Sequence, residues 1–147
     1  MTESNRRVVL ARPLEGVPTA ADFRIDEQPV PELGDGEFLV RHDYISLDPY
    51  QRSAIAGRHM AGRTPLGAGD MPPAETLGRV MRSRHSAYAT GALVRHFGGW
   101  QEFSVSDGDR AAVVEPRQAP PSTWLGVLGM PGLTAWSSIV ELAAVQP

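Results

Sequence analysis

The clearest pattern along the chain is an alternation of side chains between Glu37 and Ser46. Two sets of residues alternate there: Phe38, Val40, His42 and Tyr44 with Leu39, Arg41, Asp43 and Ile45. A period of two is typical of a β-strand that buries one face. Six further short runs lie in a region that Pro, Gly and Asp repeatedly interrupt, namely Arg7 to Ala11, Phe23 to Gln28, Leu77 to Arg82, Ala92 to Phe97, Trp100 to Val105 and Ala111 to Val114. Strands of this number and spacing predict a β-barrel or sandwich.

After residue 121 the pattern changes to one typical of helices. Ser122 is placed to cap a short helix through Leu125 to Leu128, and a second helix is predicted from Thr134 to Val145. One face of that helix carries Trp136, Ile139, Val140 and Ala143. We therefore predict a β-domain over residues 1–120 and a helical connector over residues 121–147.

A segment between Ile55 and Thr76 is rich in Gly and Pro and has almost no periodicity. A loop of this length inside one domain is usually functional or mobile. A lid over a pocket and a disordered surface insertion are both compatible with the pattern.

Charge and composition limit the partners of the chain. The 147 residues are 41% hydrophobic and 21% charged, with a formal net charge of -3. This composition indicates one soluble globular domain without a basic surface for nucleic acid or an anionic membrane. The N-terminus lacks the apolar run of a secretory signal, and no segment approaches the ~20 apolar residues of a membrane span. We therefore expect a cytoplasmic protein with no nucleic-acid or membrane partner.

Two residue types are missing, and their absence excludes several kinds of chemistry. The chain has no Cys, which excludes disulfides, thiolate nucleophiles and Cys-ligated zinc. All 14 cationic side chains are Arg, which excludes a Lys nucleophile or Schiff base. The four histidines, His42, His59, His85 and His96, have spacings that suit no metal site, and we interpret them as solvated or core residues.

Glycine-rich segments do not complete a nucleotide-binding motif. Gly67 and Gly69 begin like a dinucleotide loop, but Pro72 stands where the third glycine is required. Glycines also recur every three residues from Gly126 to Gly132, but this spacing does not match the Gly-x-Gly-x-x-Gly motif of a dinucleotide-binding loop. The sequence therefore contains no recognisable phosphate-binding turn.

Six segments in a fixed order carry a resemblance to a known family. They are Tyr44–Arg52, Gly78–Val80, Ser83–His85, Gly91–Val94, Trp100–Phe103 and Leu125–Trp136. Their combination resembles the N-terminal, GroES-like domain of the zinc-independent medium-chain reductases, which include alkenal double-bond, curcumin and prostaglandin reductases. The resemblance implies a mainly β fold, a partly open GroES-like β-barrel with helices at its C-terminal end.

The same resemblance implies metal-free chemistry with NADPH. Zinc-dependent relatives bind the metal through Cys and through a His just before a Glu, whereas Ala74 precedes Glu75 here. In the family, NADPH delivers a hydride to the β carbon of an α,β-unsaturated carbonyl compound, and the α carbon is then protonated. The expected substrates are small enones, alkenals or quinones.

Tyr50 is the residue that the resemblance assigns to catalysis and to substrate binding. A phenol with an ordinary pKa of about 10 stays protonated at neutral pH and donates to the carbonyl oxygen, where negative charge develops. The alternative is a core tyrosine whose hydroxyl reaches a backbone carbonyl. Arg52 is a second candidate for substrate or phosphate binding, with an ion pair to Asp48 as its alternative. Tyr44, within the strand pattern, is assigned to packing.

Met130, Gly132 and Thr134 are the candidate cofactor-binding residues. By resemblance they form a wall beside the nicotinamide ring, where Thr134 offers its hydroxyl to the carboxamide. The alternative is ordinary helix punctuation with Thr134 as the N-cap, and the two roles are compatible.

The family chain continues beyond a proline like Pro147 into a Rossmann domain, which is absent from this sequence. We therefore expect the catalytic and substrate-binding domain of an NADPH-dependent double-bond reductase, inactive by itself and homodimeric in its full-length form. The alternative hypothesis is a standalone GroES-like module that binds a small ligand or a protein without redox activity.

Overall fold

The computed structural model describes residues 4–56, 64–115 and 119–143, and these ranges contain seven β-strands. They are β1 (Ser4–Leu10), β2 (Phe23–Pro29), β3 (Phe38–Ile45), β4 (Thr76–Ser83), β5 (Leu93–His96), β6 (Phe103–Ser106) and β7 (Ala112–Val113). Each of the seven predicted runs is confirmed as a strand. β1 begins three residues earlier than predicted, and β6 begins three residues later, because Trp100 and Gln101 contact β1 instead.

The strands form two antiparallel sheets that are joined into a partly open barrel. β1 pairs with β2 along its whole length, and the other five strands follow the order β6-β3-β4-β5-β7. Backbone hydrogen bonds from Val8 N to Trp100 O (2.8 Å) and from Glu102 N to Arg6 O (3.0 Å) join β1 to the segment before β6. This continuity gives the mainly β, GroES-like architecture that the sequence predicts.

The central strand β3 is buried on both faces in its first half. Phe38 and Val40 pack against residues of β4 and β5, whereas Leu39 packs against Phe103 of β6. The second half departs from the predicted alternation, because Tyr44 is 44% exposed. The packing role predicted for Tyr44 is therefore not a role in the core.

β3 and β4 approach so closely at one point that only glycine fits. A Cβ atom on Gly78 would lie 2.1 Å from the carbonyl oxygen of Arg41. The register between the two strands shifts next to this contact, after His42. Glycine at this position lets β4 follow β3 to the end of the sheet.

A buried chain of polar side chains connects His42, Ser104 and His96. His42 Nε2 lies 2.7 Å from Ser104 Oγ and 3.3 Å from His96 Nε2. His42 Nδ1 lies 2.7 Å from the carbonyl oxygen of Gln101 and donates to it, so Nε2 is the acceptor for Ser104. Burial lowers the pKa of His42 to about 4 and that of His96 to about 3. The interpretation as core residues holds for His42 and His96, although the sequence spacing of the two did not indicate that they contact each other. His59 lies outside the described residues.

Helices occupy the connections of the barrel. A 3₁₀ helix (Ala20–Asp22) precedes β2, and α1 (Pro49–Ala56), which the sequence analysis did not predict, follows β3. A second 3₁₀ helix (Pro121–Leu125), α2 (Met130–Trp136) and a π-helical turn (Ser137–Leu142) come after β7. No helix in the described part of the chain is both long and apolar enough to cross a bilayer.

The C-terminal helices begin at residues other than those predicted. Pro120, not Ser122, occupies the N-cap position of the second 3₁₀ helix. Gly129 is the N-cap of α2, so Thr134 lies inside that helix and is not an N-cap. Pro131 is tolerated because a proline in the first turn removes an N–H that has no partner within the helix.

The predicted apolar face of the C-terminal helices lies on the surface. Trp136, Ile139, Val140 and Ala143 are all exposed. Leu125 of the preceding 3₁₀ helix is instead buried in a cluster with residues of β4 and β5. The division of the chain at residue 120 stays a prediction.

The buried histidines make folding stability depend on pH. Both pKa values are lower in the folded chain than the ordinary 6.5, so the unfolded chain binds more protons below pH 6.5. We expect the free energy of unfolding to fall between pH 6.5 and 4, by about 1.4 kcal/mol per pH unit for each histidine that must stay neutral. Urea denaturation across this range measures the slope.

A matched pair of substitutions separates these histidines from other titrating groups. His42→Gln should flatten the slope between pH 6.5 and 4, and His96→Gln should do the same. Equal slopes in the unsubstituted chain and in His42→Gln would contradict the assignment.

Candidate active site

The turn between β3 and α1 is fixed by the side chains of Ser46, Asp48 and Gln51. Ser46 Oγ donates to Asp48 Oδ2 (2.6 Å), and the buried amide of Gln51 donates to the carbonyl oxygen of Ser46 (2.8 Å). Pro49 is the first residue of α1, where its fixed φ suits the helix. These contacts place Tyr50 in the first turn of α1, just beyond the central strand.

Strand register brings distant segments to the same edge of the sheet as Tyr50. The backbone N–H of Ser46 donates to the carbonyl oxygen of Glu75 (2.9 Å), directly before β4. Thr76 at the start of β4 lies opposite His96 at the end of β5, so Phe97 follows at this edge. The site is therefore assembled by β pairing between segments far apart in sequence.

A cavity of about 440 Å³ lies at this edge, within the usual size range of small-molecule pockets. Its described lining is Asp48, Tyr50, Ala54, Pro73, Glu75, Phe97, Arg110 and Met130. Two predicted site residues, Tyr50 on α1 and Met130 on α2, thus meet in one cavity. Most of the wall is apolar, with charged groups from three segments.

The hydroxyl of Tyr50 is buried and has no partner at hydrogen-bond distance and angle among the described residues, although the Gln51 side chain lies close enough to lower its pKa slightly. Burial, followed by the negative charge of Asp48, raises the pKa of Tyr50 above its ordinary value. The phenol is therefore protonated throughout the physiological pH range and remains a donor. The alternative role, a hydroxyl bonded to a backbone carbonyl, is not found among the described residues.

Glu75 and Arg110 are charged residues of the cavity that the sequence analysis missed. Glu75 Oε1 accepts from Arg95 at 2.9 Å, and burial raises the pKa of Glu75 while the charge of Arg95 opposes that shift. The guanidinium of Arg110 lies 3.9 Å from the centre of the Phe97 ring. The Asp-Gly-Asp segment before Arg110 is a turn signal, but a turn signal does not say which cavity the turn borders.

Arg52 does not belong to the described lining of the cavity. Its guanidinium donates to the carbonyl oxygen of Gly16, in the loop before β2. Asp48 is bonded to Ser46 instead, so the ion pair considered between Arg52 and Asp48 is wrong. A substrate contact of Arg52 stays a prediction.

Gly132 and Thr134 lie on α2 outside the described cavity lining. The Thr134 hydroxyl donates to the carbonyl oxygen of Met130, one turn earlier, at 2.8 Å. A Cβ atom on Gly132 would lie 1.8 Å from the carbonyl oxygen of Val127. Close packing explains the glycine, and cofactor contacts of both residues stay predictions.

Potential metal ligands are dispersed in the described ranges. Within residues 4–56, 64–115 and 119–143, no three His, Asp or Glu side chains are arranged to hold a metal ion. What the cavity offers to a ligand is a buried phenol, a guanidinium and an apolar wall.

Comparisons with known sequences agree on the kind of domain. A family model for the N-terminal domain of oxidoreductases matches residues 6–114. NADPH-dependent curcumin reductase of Escherichia coli (strain K12) is 36% identical over 140 residues, and prostaglandin reductase 1 of Bos taurus is 36% identical over 134 residues. These alignments cover 95% and 89% of this chain but only 40% and 38% of the relatives. The chain thus spans about two fifths of the length of the curated relatives it matches.

Solved structures show the same fold. The crystal structure of CurA from Vibrio vulnificus matches with a TM-score of 0.84 at 35% identity, over 93% of this chain and 40% of that chain. The crystal structure of CurA in complex with NADPH matches with a TM-score of 0.82 at 34% identity, over 92% and 40% of the two chains. These matches confirm the GroES-like barrel inferred from the sequence.

The packing role of Gly132 predicts a large effect of an added methyl group. Gly132→Ala should lower the free energy of unfolding by about 3 kcal/mol, because the Cβ atom would collide with backbone that cannot rotate away. Urea denaturation followed by tryptophan fluorescence measures the change. Gly67→Ala, whose Cβ atom would have its nearest neighbour at 3.6 Å, is the control and should behave like the unsubstituted chain. Equal stability of the two variants would show that packing does not require Gly132.

Because the hydroxyl of Tyr50 is buried without a partner, we expect that it does not stabilise the folded chain. Tyr50→Phe should leave the free energy of unfolding unchanged or raise it by up to about 1 kcal/mol, because it removes a buried polar group without a partner. Tyr88→Phe is the matched control, since Tyr88 donates to the carbonyl oxygen of Ala111 at 2.9 Å and its loss should cost about 1 kcal/mol. A clear loss of stability in Tyr50→Phe would indicate a structural hydrogen bond.

Proposed function

The chain belongs to the family of oxidoreductase N-terminal domains, and from this premise we propose that it is the substrate-binding and catalytic domain of an NADPH-dependent reductase of α,β-unsaturated carbonyl compounds. The observation that carries the proposal is the buried, unpaired hydroxyl of Tyr50 beside a cavity that also contains Met130. The curcumin and prostaglandin reductases among the relatives support this substrate class.

Tyr50 stabilises the negative charge that develops in the proposed reaction. The β carbon of the substrate receives a hydride, which NADPH supplies when bound. The electron pair of the C=C bond moves toward the carbonyl carbon, and the carbonyl oxygen becomes an enolate oxygen. The protonated phenol of Tyr50 donates a hydrogen bond to that oxygen, and water protonates the α carbon.

The apolar part of the cavity strengthens this donation. Ala54, Pro73, Phe97 and Met130 give the hydrocarbon part of an enone a surface from which water is displaced. A hydrogen bond to a developing charge is worth more where water is excluded.

Met130 is the described residue that fits the nicotinamide end of NADPH, because it lines the same cavity as Tyr50. Thr134 fits less well, since its hydroxyl already has a partner in its own helix. The relatives are about two and a half times as long as this chain, and we assign the remaining cofactor contacts to a segment equivalent to their unmatched part. On this proposal the 147 residues alone are inactive; a homodimeric whole protein and a cytoplasmic location stay predictions.

A chimeric protein tests the proposed activity. Residues 1–147 are joined to the part of the Escherichia coli curcumin reductase that follows its matched segment, and NADPH absorbance is followed with benzalacetone as the enone. We expect turnover by the chimera and none by either part alone. A folded chimera that binds NADPH but reduces no enone, alkenal or quinone would contradict the proposal and favour a binding module without redox activity.

Tyr50→Phe in the chimera tests the catalytic assignment. We expect kcat to fall by about 100-fold with a small change in KM, because a donor to the developing oxyanion is lost. Tyr44→Phe is the control, since Tyr44 lies outside the described cavity lining, and it should keep full activity. An unchanged kcat in Tyr50→Phe would remove Tyr50 from the mechanism.

A further inference from the structure

Gln51 is a buried polar residue whose side chain still has an unused donor. Only 3% of the residue is exposed, and its amide nitrogen Nε2 donates to the carbonyl oxygen of Ser46 at 2.8 Å. A carbonyl oxygen only accepts, so this contact fixes which end of the amide is the nitrogen. That nitrogen carries two N–H groups, and within the described ranges no second acceptor meets it at hydrogen-bond distance and angle. One N–H group of a buried amide is therefore available.

The phenolic oxygen of Tyr50 lies beside that amide. The hydroxyl is buried and has no partner of hydrogen-bond geometry among the described residues. Burial and the charge of Asp48 raise the pKa of Tyr50, whereas the Gln51 side chain acts in the opposite direction. A neutral neighbour lowers the pKa of a phenol when it donates toward the oxygen, because this stabilises the phenolate. The unused N–H group and the unpartnered oxygen are thus neighbours in the first turn of α1.

Backbone contacts fix the Gln51 amide at this position. Ser46, which accepts from the amide, is also held through its own N–H, because this group donates to the carbonyl oxygen of Glu75 at 2.9 Å. The backbone N–H of Gln51 donates to the carbonyl oxygen of Asp48 at 3.0 Å. Rotation of the amide away from Tyr50 would break a buried hydrogen bond. The second N–H group is therefore preorganised before a ligand enters the cavity.

Two carboxylates of the cavity compete for the hydrogen of the Tyr50 hydroxyl. Asp48 and Glu75 both belong to the described lining. Burial and then the charges of these two residues raise the pKa of Tyr50. A hydroxyl that turns its hydrogen toward either carboxylate does not donate to a ligand. Because a hydroxyl accepts and donates in different directions, an N–H group at its oxygen restricts where the hydrogen points.

We propose that Gln51 is the positioning residue of Tyr50, and that its second N–H group donates to the phenolic oxygen when a ligand carbonyl binds. The hydroxyl then accepts from Gln51 and donates its own hydrogen to the ligand oxygen. This inference rests on the function proposed above and adds a residue to its mechanism. Catalytic hydrogen bonds are often long or poorly aligned in a free enzyme and tighten in the complex. A hydroxyl that accepts one hydrogen bond is also a stronger donor in the next.

NMR of the 147-residue chain tests the contact without turnover. Benzalacetone is titrated in, the Met130 methyl signal reports binding in the cavity, and the side-chain N–H signals of Gln51 report the proposed hydrogen bond. We expect one of the two Gln51 signals to shift to higher frequency in the unsubstituted chain and not in Tyr50→Phe, which retains the ring but lacks the oxygen. Gln101 is the matched control, because its amide donates to the carbonyl oxygen of Gly98 at 2.6 Å and lies outside the described lining. Its signals should not move in either chain.

Kinetics of the chimeric protein test whether Gln51 acts through Tyr50. Gln51→Met removes both N–H groups from a side chain of similar length, and we expect kcat to fall by about tenfold with a small change in KM. In Tyr50→Phe the same substitution should cause no further fall, because the hydroxyl that Gln51 positions is already absent. Gln28→Met is the control with full activity, since the Gln28 amide bonds to Asp26 on the surface of β2.

Each contrary outcome has a separate meaning. A Gln51 shift of equal size in Tyr50→Phe, or an additive loss of kcat in the double variant, would overturn the positioning role and indicate a direct or purely structural effect of Gln51. An unchanged kcat in Gln51→Met would overturn it as well. Failure of benzalacetone to shift the Gln51 and Met130 signals would overturn this inference together with the cavity as the substrate site. A Gln51 shift that requires the Tyr50 hydroxyl, with an inactive chimera, would count against the proposed reaction and leave the hydrogen bond intact.

Discussion

The pairing of β3 on both sides is the constraint on which the core and the candidate site both depend. β4 and β6 hold the strand along its edges, and the burial of Phe38 and Val40 fixes its register. A hydrogen bond just after the strand, from Ser46 N to Glu75 O, ties the segment before α1 to the residue before β4. Tyr50 and Glu75 therefore reach one cavity because of strand register, before any contact between their side chains is considered.

Buried polar groups show two different designs in this domain. His42, Ser104 and His96 satisfy one another, so burial keeps both imidazoles neutral while their hydrogen bonds are retained. The Tyr50 hydroxyl is also buried and has no partner of hydrogen-bond geometry among the described residues. The hydrogen-bonded histidines stabilise the fold. The unpaired hydroxyl of Tyr50 destabilises the free domain, and a ligand oxygen that accepts from it removes that cost. This contrast, more than the presence of a tyrosine, distinguishes the site from the core.

Local patterns were sufficient for most of the fold and for part of the site. Alternation and turn residues predicted the seven strands, since these signals are local. α1 was missed because its eight residues are too few to show a helical period, while the contacts at its start include the buried Gln51 amide and the Ser46 carbonyl. The helix start at Gly129 was missed because the steric requirement comes from the carbonyl of Trp124.

The site residues also divide into those that the sequence analysis predicted and those that it missed. Tyr50 and Met130 were found through a resemblance to a family, which carries information about the assembled site. Arg110 and Phe97 reach the cavity through strand pairing and the β6–β7 turn, and nothing in the residues around them reveals which surface they border. Contacts of neighbouring residues fix the position of Met130. Leu125 anchors the preceding 3₁₀ helix in the core, and Gly132 allows α2 to approach Val127. Met130 itself is 42% exposed, so the wall it forms is placed by glycine packing and not by its own burial.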